Sequence, residues 1–177
     1  MTKLTFCAIL LLGLTRTAFA PAAQMPGAVA VGGTLPQARL RGLNGPSREL
    51  DEFRGKPLMI NVWASWCGPC RAEMASLERL AWSEDAHAFT LIGISTDDDA
   101  ELAKAWLKSS NTTISQFIDT DLQMETLLGA SRLPLTVFVD AHGRVLKRIY
   151  GAKQWDGASA RQIIHRVYAA GSRLREP

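Results

Sequence analysis

The chain has 177 residues, of which 47% are hydrophobic and 21% charged, and its formal net charge is +3. This length and composition suit one soluble globular domain, because the chain is long enough to bury a core. The positive excess is too small to indicate nucleic acid as a partner.

The first 22 residues have the layout of a secretory signal peptide. Lys3 gives a positive start, residues 4–14 are almost all apolar, and small residues follow in Ala20-Pro21-Ala22. The apolar run is shorter than the roughly 20 residues that a membrane helix needs, so we expect cleavage after Ala22. An uncleaved N-terminal anchor is the alternative. Cleavage would also remove Cys7 and leave two cysteines in the exported chain.

The remaining sequence divides into a predicted flexible leader over residues 23–36, a domain over 37–172 and a C-terminal tail over 173–177. Crossover helices imply parallel strands, and a late hairpin adds antiparallel ones. The predicted class is therefore α/β, with a mixed central sheet, helices on both faces and an N-terminal β-hairpin extension. The predicted elements in chain order are a hairpin over 38–50, a helical turn over 51–55, a strand over 57–64, a helix over 69–83, a strand over 89–95, a helix capped within 96–99, a short strand over 116–118, a helix over 121–128, strands over 135–139 and 145–150, and a helix over 156–170.

A pair of cysteines lies where a buried strand is predicted to end and a helix to begin, in Trp66-Cys67-Gly68-Pro69-Cys70. The free N–H groups and the dipole at a helix start stabilise a thiolate, which is the reactive form of cysteine. Pro69 suits the first helical turn. We therefore expect Cys67 to be the exposed nucleophile, and Cys70, more buried, to resolve the mixed disulfide.

Other uses of the two cysteines fit the sequence less well. A zinc site usually needs four protein ligands, and His87, His142 and His165 are scattered without paired spacing. An inert bridge would close a very short loop, which constrains the unfolded chain little. A metallochaperone lacks a supporting histidine or methionine cluster. We expect no metal and no cofactor.

Two tryptophans flank the cysteine pair, and the sequence predicts different roles for them. Trp63 lies in the apolar strand and is predicted to pack in the core. Trp66 lies beside the nucleophile and is a candidate for docking an extended substrate.

Two segments carry a resemblance to a known family. Residues 61–74, with the tryptophan and the cysteine pair, resemble the active-site segment of TlpA/ResA-type periplasmic thioredoxin-like proteins. Residues 133–140, followed by Gly143, resemble the cis-proline loop and hairpin of the same family. The resemblance covers residues 34–170 and implies a thioredoxin fold. It also implies a cis Pro134 that faces the cysteines and a Leu133 backbone that pairs with substrate.

The resemblance assigns a further role on the first active-site helix. Glu73, one turn after Cys70, matches the acidic residue of ResA-like proteins and could accept the Cys70 proton; an acid placed near a helix start for the dipole is the alternative. Asn61 occupies the strand position at which thioredoxins have a buried aspartate, and an amide cannot act as a base. Ala75 departs from the proline common in relatives, so we expect a straighter helix.

The family implies an exported enzyme, periplasmic and either soluble or N-terminally anchored, that reduces protein disulfides. Proteins with disulfides or dithiols would be its partners, as in apocytochrome c or copper-site assembly, and a membrane electron donor would recharge it. The Gly-Pro pair between the cysteines matches the reducing thioredoxins. A disulfide oxidant or isomerase is the alternative enzyme, and a non-catalytic peptide-binding chaperone is the alternative outside enzymes.

Overall fold

The computed structural model describes residues 25–173. The predicted strands and helices are all present, with ends shifted by a few residues, and the unpredicted element is a 3₁₀ helix at Glu84–Ala88. A second 3₁₀ helix, Leu50–Phe53, follows the N-terminal hairpin. The elements are β1 (Arg39–Gly42), β2 (Arg48–Glu49), β3 (Leu58–Trp63), α1 (Gly68–Ala81), β4 (Thr90–Ser95), α2 (Ala100–Ser110), β5 (Ser115–Ile118), α3 (Gln123–Leu128), β6 (Leu135–Val139), β7 (Val145–Tyr150) and α4 (Ala158–Arg173).

The strands form one seven-stranded sheet in the order β2-β1-β5-β4-β3-β6-β7. The three central strands β3, β4 and β5 are parallel, because the helices α1 and α2 cross between them. The hairpins add antiparallel strands at both sides, and β1 joins the N-terminal hairpin to the sheet through β5. This is the mixed sheet of a thioredoxin-like fold, as the sequence predicts.

The central strand β3 is buried along its whole length, and its side chains alternate between two cores. Leu58, Ile60 and Val62 face the cluster that α3 and the 3₁₀ helix Leu50–Phe53 cover. Met59 and Trp63 face the cluster that α1, α2 and α4 cover. The sheet therefore has helices on both faces, and the end of β3 is fixed from both sides.

The N-terminal segment, predicted to be a flexible leader over residues 23–36, is held against the domain in its described part. The main-chain N–H groups of Val29, Gly32 and Leu35 donate to carbonyls of α3, β7 and the β6–β7 turn, at 2.8–3.0 Å. Leu35 is also buried in the first core, so burial of apolar side chains accounts for the docking.

The N-terminal targeting segment predicted for residues 1–22 lies outside the described residues, as does most of the predicted tail. Within residues 25–173, no helix combines the length and the apolar character needed to cross a bilayer.

Candidate active site

The cysteine pair lies at the carboxyl end of β3, where the chain turns into α1. Cys67 is the N-cap residue of that helix, and its Sγ accepts the main-chain N–H of Cys70 at 3.3 Å. Pro69 occupies the first turn, where its missing N–H leaves no helical bond unmade. The two cysteines form a disulfide with an S–S distance of 2.04 Å. The pair therefore occupies the helix start at which a thiolate would be stabilised.

The two sulfurs differ in accessibility, but less than the sequence suggested. Cys67 is 6% exposed and Cys70 is completely buried. The expectation that Cys67 is exposed is thus wrong, since its sulfur is bonded to Cys70 and accepts a hydrogen bond at the start of α1. Its role as the nucleophile stays a prediction. Cys67 remains the more accessible of the two.

The two flanking tryptophans lie in different environments. Trp63 is fully buried, donates its indole N–H to Gln116 at 2.8 Å and packs against the ring of Trp106, which confirms its core position. Trp66 is 71% exposed and lines a groove of about 310 Å³ with Leu133. The groove is also lined by Thr96, Asp98, Leu122, Glu125, Ala130, Ser131 and Arg132.

The loop before β6 lines the same groove through residues 130–133. The Leu133–Pro134 peptide bond is cis, as the resemblance implies. The antiparallel register pairs Val62 with Leu135, so Pro134 comes level with Trp63, at the end of β3 that leads to the cysteines. Leu133 is half-buried, packs against both cores and lines the groove beside Trp66.

A buried carboxylate lies on α1, one helical turn after Cys70. Glu73 is 3% exposed and accepts three hydrogen bonds. Asn61 Nδ2 donates to Oε1 at 2.8 Å, while the main-chain N–H of Lys153 and the indole N–H of Trp155 each donate to Oε2 at 3.0 Å. The donors come from β3 and from the loop before α4, about 80 residues along the chain. Glu73 therefore connects α1 with β3 and with the loop before α4.

Burial makes ionisation of Glu73 less favourable than ionisation of an exposed glutamate. Burial raises the pKa of this carboxyl above its ordinary value of 4.5, because desolvation disfavours the charge, and the hydrogen bonds from Lys153, Asn61 and Trp155 oppose that rise. Asn61 Oδ1 is buried without a hydrogen-bond partner among the described residues. Glu73 is thus a titratable group one helical turn from Cys70.

A second buried carboxylate, Asp97, supports the turn that precedes Cys67, whereas its sequence position predicts only a helix cap within residues 96–99. Asp99 makes that cap, whereas Asp97 turns toward β3. Asp97 accepts the Ser65 main-chain N–H at 2.8 Å, the Ser65 hydroxyl at 2.7 Å and the Ser95 hydroxyl at 2.6 Å. Their positions in the sequence could have indicated this contact. Ser65 lies two residues after the end of β3, Asp97 lies two residues after the end of β4, and these strands are parallel neighbours.

The described residues contain no cluster of side chains suited to bind a metal ion. No three or more His, Cys, Asp or Glu side chains within residues 25–173 converge on a point that could hold a metal ion.

Comparison with known proteins agrees with this geometry. The Redoxin family model matches residues 30–164, which is more than half of the chain. The chain is 32% identical over 145 residues to the thiol:disulfide interchange protein DsbE of Yersinia pestis, covering 80% of this chain and 75% of that protein. It is 30% identical over 124 residues to the thiol-disulfide oxidoreductase ResA of Geobacillus thermodenitrificans, covering 70% and 71%.

A solved structure shows the same fold. The crystal structure assigned to a DsbE-type thiol:disulfide interchange protein from Chlorobium tepidum aligns with a TM-score of 0.71 at 24% identity, covering 78% of this chain and 98% of that one. The family match, these two relatives and the cysteine pair at the start of α1 lead to one conclusion. The chain belongs to the Redoxin family and is a thiol-disulfide oxidoreductase of the DsbE and ResA type.

Proposed function

We propose that this chain is an exported reductase of protein disulfides in which Cys67 attacks and Cys70 resolves. The observation that carries the proposal is the placement of the pair. Cys67 Sγ lies at the N-cap of α1 and is the more accessible sulfur, while Cys70 is buried one turn further on. The two sulfurs therefore differ in accessibility and in stabilisation of the thiolate. An exchange reaction needs this difference, because one sulfur attacks the substrate and the other resolves the mixed disulfide.

The first step starts from the reduced pair. The Cys67 thiolate attacks one sulfur of a substrate disulfide, a mixed disulfide forms, and the other substrate sulfur leaves as a thiolate. The N–H groups at the start of α1 stabilise the Cys67 thiolate before the attack.

The second step releases the substrate. Cys70 loses its proton, and its thiolate attacks Cys67 Sγ, which re-forms the Cys67–Cys70 disulfide and frees the second substrate thiolate. Two electrons have then passed from the pair to the substrate. Glu73 is the group proposed to accept the Cys70 proton, because it lies one turn away and its raised pKa brings it closer to that of a thiol.

The groove between Trp66 and Leu133 is proposed as the substrate surface. Trp66 offers an exposed aromatic face beside the nucleophile. The main-chain N–H and C=O of Leu133 make no hydrogen bond within residues 25–173, and Leu133 is not part of a strand. An extended substrate segment could therefore pair with Leu133 while its cysteine reaches Cys67.

The proposed enzyme works outside the cytoplasm and is reduced again after each turnover. The signal-peptide pattern of residues 1–22 supports export to the periplasm, with either a soluble or an N-terminally anchored product. A reductase in an oxidising compartment needs an electron supply, so a membrane donor of reducing equivalents is the proposed redox partner. Apocytochrome c and copper-site assembly proteins are the proposed substrates, by resemblance to the family.

The direction of electron flow is tested by the reduction potential. We would equilibrate the full-length protein with glutathione buffers and quantify the Cys67–Cys70 disulfide by alkylation and mass spectrometry. A potential near about −270 mV supports a reductase, whereas a potential near about −120 mV contradicts it and favours the oxidant. A protein that never exchanges with glutathione would instead support the non-catalytic chaperone.

A further inference from the structure

The turn between β3 and α1 is tied to the end of β4 by one carboxylate. In the parallel register Trp63 lies beside Ser95, so the residues two positions beyond each strand, Ser65 and Asp97, meet at the same edge of the sheet. Asp97 is 2% exposed and accepts three hydrogen bonds there from the Ser65 N–H, the Ser65 hydroxyl and the Ser95 hydroxyl.

This carboxylate is buried without a countercharge. Its three donors are all neutral groups, and no Lys, Arg or His side chain within residues 25–171 forms an ion pair with it. Three donors on two oxygens fit an ionised acid, which can only accept. A buried negative charge is weakly screened and acts over several ångströms.

The nucleophile lies within reach of that charge. Ser65, which holds the carboxylate at 2.7–2.8 Å, precedes Cys67 by two residues, and two residues span about 7 Å at most. Reduction of the disulfide takes up two electrons and, when Cys67 stays a thiolate, one proton. Negative charge therefore appears on Cys67 only in the reduced form, and a nearby carboxylate disfavours that form.

We propose that Asp97 is a positioning residue that fixes the turn before Cys67 and makes the Cys67–Cys70 pair a stronger reductant. The carboxylate holds Ser65 by its main chain and side chain, and its charge destabilises the dithiol form relative to the disulfide. The pair then gives up its electrons more readily. This inference rests on the proposed exchange function, because it concerns the potential of the same pair.

Other charged groups at this edge differ from Asp97 in placement. Arg71 lies over the Trp106 ring at 6.0 Å, and Arg132 lies over the Tyr150 ring at 4.9 Å. Asp98 and Glu125 line the groove that Trp66 borders, and Glu73 on α1 is hydrogen-bonded to Asn61. Of these charged groups, none forms a hydrogen bond with Ser65, within the residues that the structure describes.

The test replaces Asp97 by asparagine, which keeps the shape and removes the charge. We expect the Asp97→Asn protein to be about tenfold easier to reduce with glutathione, a potential about 30 mV more oxidising. The pKa of Cys67, read from the pH profile of iodoacetamide alkylation, should fall by about one unit. Asp97→Ser is the second neutral variant if the first does not fold. Asp99→Asn is the matched control, because Asp99 caps α2 at an exposed position and asparagine caps equally well.

Two results would overturn the inference. One is a folded neutral variant with unchanged potential and alkylation profile and only lower stability, which is what a purely structural Asp97 predicts. The other is a Ser65→Ala protein whose reduction potential rises as much as that of Asp97→Asn. Ser65→Ala loosens the turn but keeps the carboxylate charge, so an equal rise would show that the charge is not the cause. Failure of the wild-type pair to exchange with glutathione would refute the proposed function itself, so the two failures are distinguishable.

Discussion

The hydrogen bond between Trp155 and Glu73 gives a sharp test of the buried carboxylate. Trp155 is fully buried, and its indole N–H donates to Glu73 Oε2 at 3.0 Å. The change Trp155→Phe keeps an aromatic ring beside Phe138, whose centroid lies 6.1 Å away, and removes the donor.

The expected loss of stability has two parts. A hydrogen bond to a charged group is worth about 1.5–3 kcal/mol, and the void left by the smaller ring costs about 1 kcal/mol. We therefore expect the free energy of unfolding to fall by about 3 kcal/mol where Glu73 is ionised. Where Glu73 is neutral the same bond is worth about 1 kcal/mol, and the loss shrinks to about 2 kcal/mol.

The pH dependence has a definite sign. Glu73 has a folded-state pKa raised above 4.5, so its contribution to stability is complete below 4.5 and is lost as the pH rises through the folded-state value. Removing the Trp155 donor raises that pKa further. The destabilisation by Trp155→Phe must therefore grow as the pH rises from 4.5.

The assay is urea unfolding of the oxidised protein, followed by circular dichroism, at several pH values from about 4 to 8. Glu73→Gln serves as the background control, because in that protein the effect of Trp155→Phe should no longer depend on pH. A loss of stability that is the same at all pH values would contradict the raised pKa of Glu73, and a loss below about 1 kcal/mol throughout would contradict the Trp155–Glu73 hydrogen bond.

Three further changes test the proton path, the substrate groove and the docking of the N-terminal segment. Glu73→Gln should slow the attack of Cys70 on the mixed disulfide about 100-fold and leave the first attack by Cys67 unchanged. The mixed disulfide should then persist in quenched-flow experiments. A resolution rate equal to that of the wild type would remove Glu73 from the proton path. Trp66→Ala should raise KM for a protein disulfide several-fold but leave reaction with glutathione disulfide unchanged, with exposed Trp82→Ala as the control. Arg148 donates to the main-chain carbonyls of Val29 in the N-terminal segment and Leu128 in α3. Arg148→Met should lower the free energy of unfolding by about 1–3 kcal/mol and speed amide hydrogen exchange in residues 28–32. Unchanged exchange in these residues would contradict the docking of the N-terminal segment.

The framework of the active site was predictable from local sequence patterns. An apolar run ending at Trp63, a proline in the next helical turn and two cysteines at a spacing of three suffice to place the pair at a strand-to-helix junction. The cis state of Pro134 was available only through the resemblance, because a proline before a strand fits either isomer.

The contacts that tune the site were not predictable in this way. Glu73 receives donors from Lys153 and Trp155, and nothing in the local pattern of either segment points to the other. Asp97 lies in a run of three aspartates that reads as helix capping, and its partner Ser65 becomes visible only when the two strands are aligned in parallel. The contacts of residues 29–35 with the domain were not predictable either, because apolar residues such as Leu35 meet their core only in the tertiary fold.

The separate roles of the two cysteines can be measured by trapping the intermediate. The full-length chain with Cys70→Ser would be expressed in a bacterial periplasm, quenched with acid and an alkylating agent, and examined by non-reducing electrophoresis and mass spectrometry, with Cys67→Ser as the matched control. We expect the Cys70→Ser protein to carry protein partners through Cys67 and the Cys67→Ser protein to carry few or none. A folded Cys70→Ser protein without adducts, or equal adducts on both variants, would contradict exchange through an attacking Cys67.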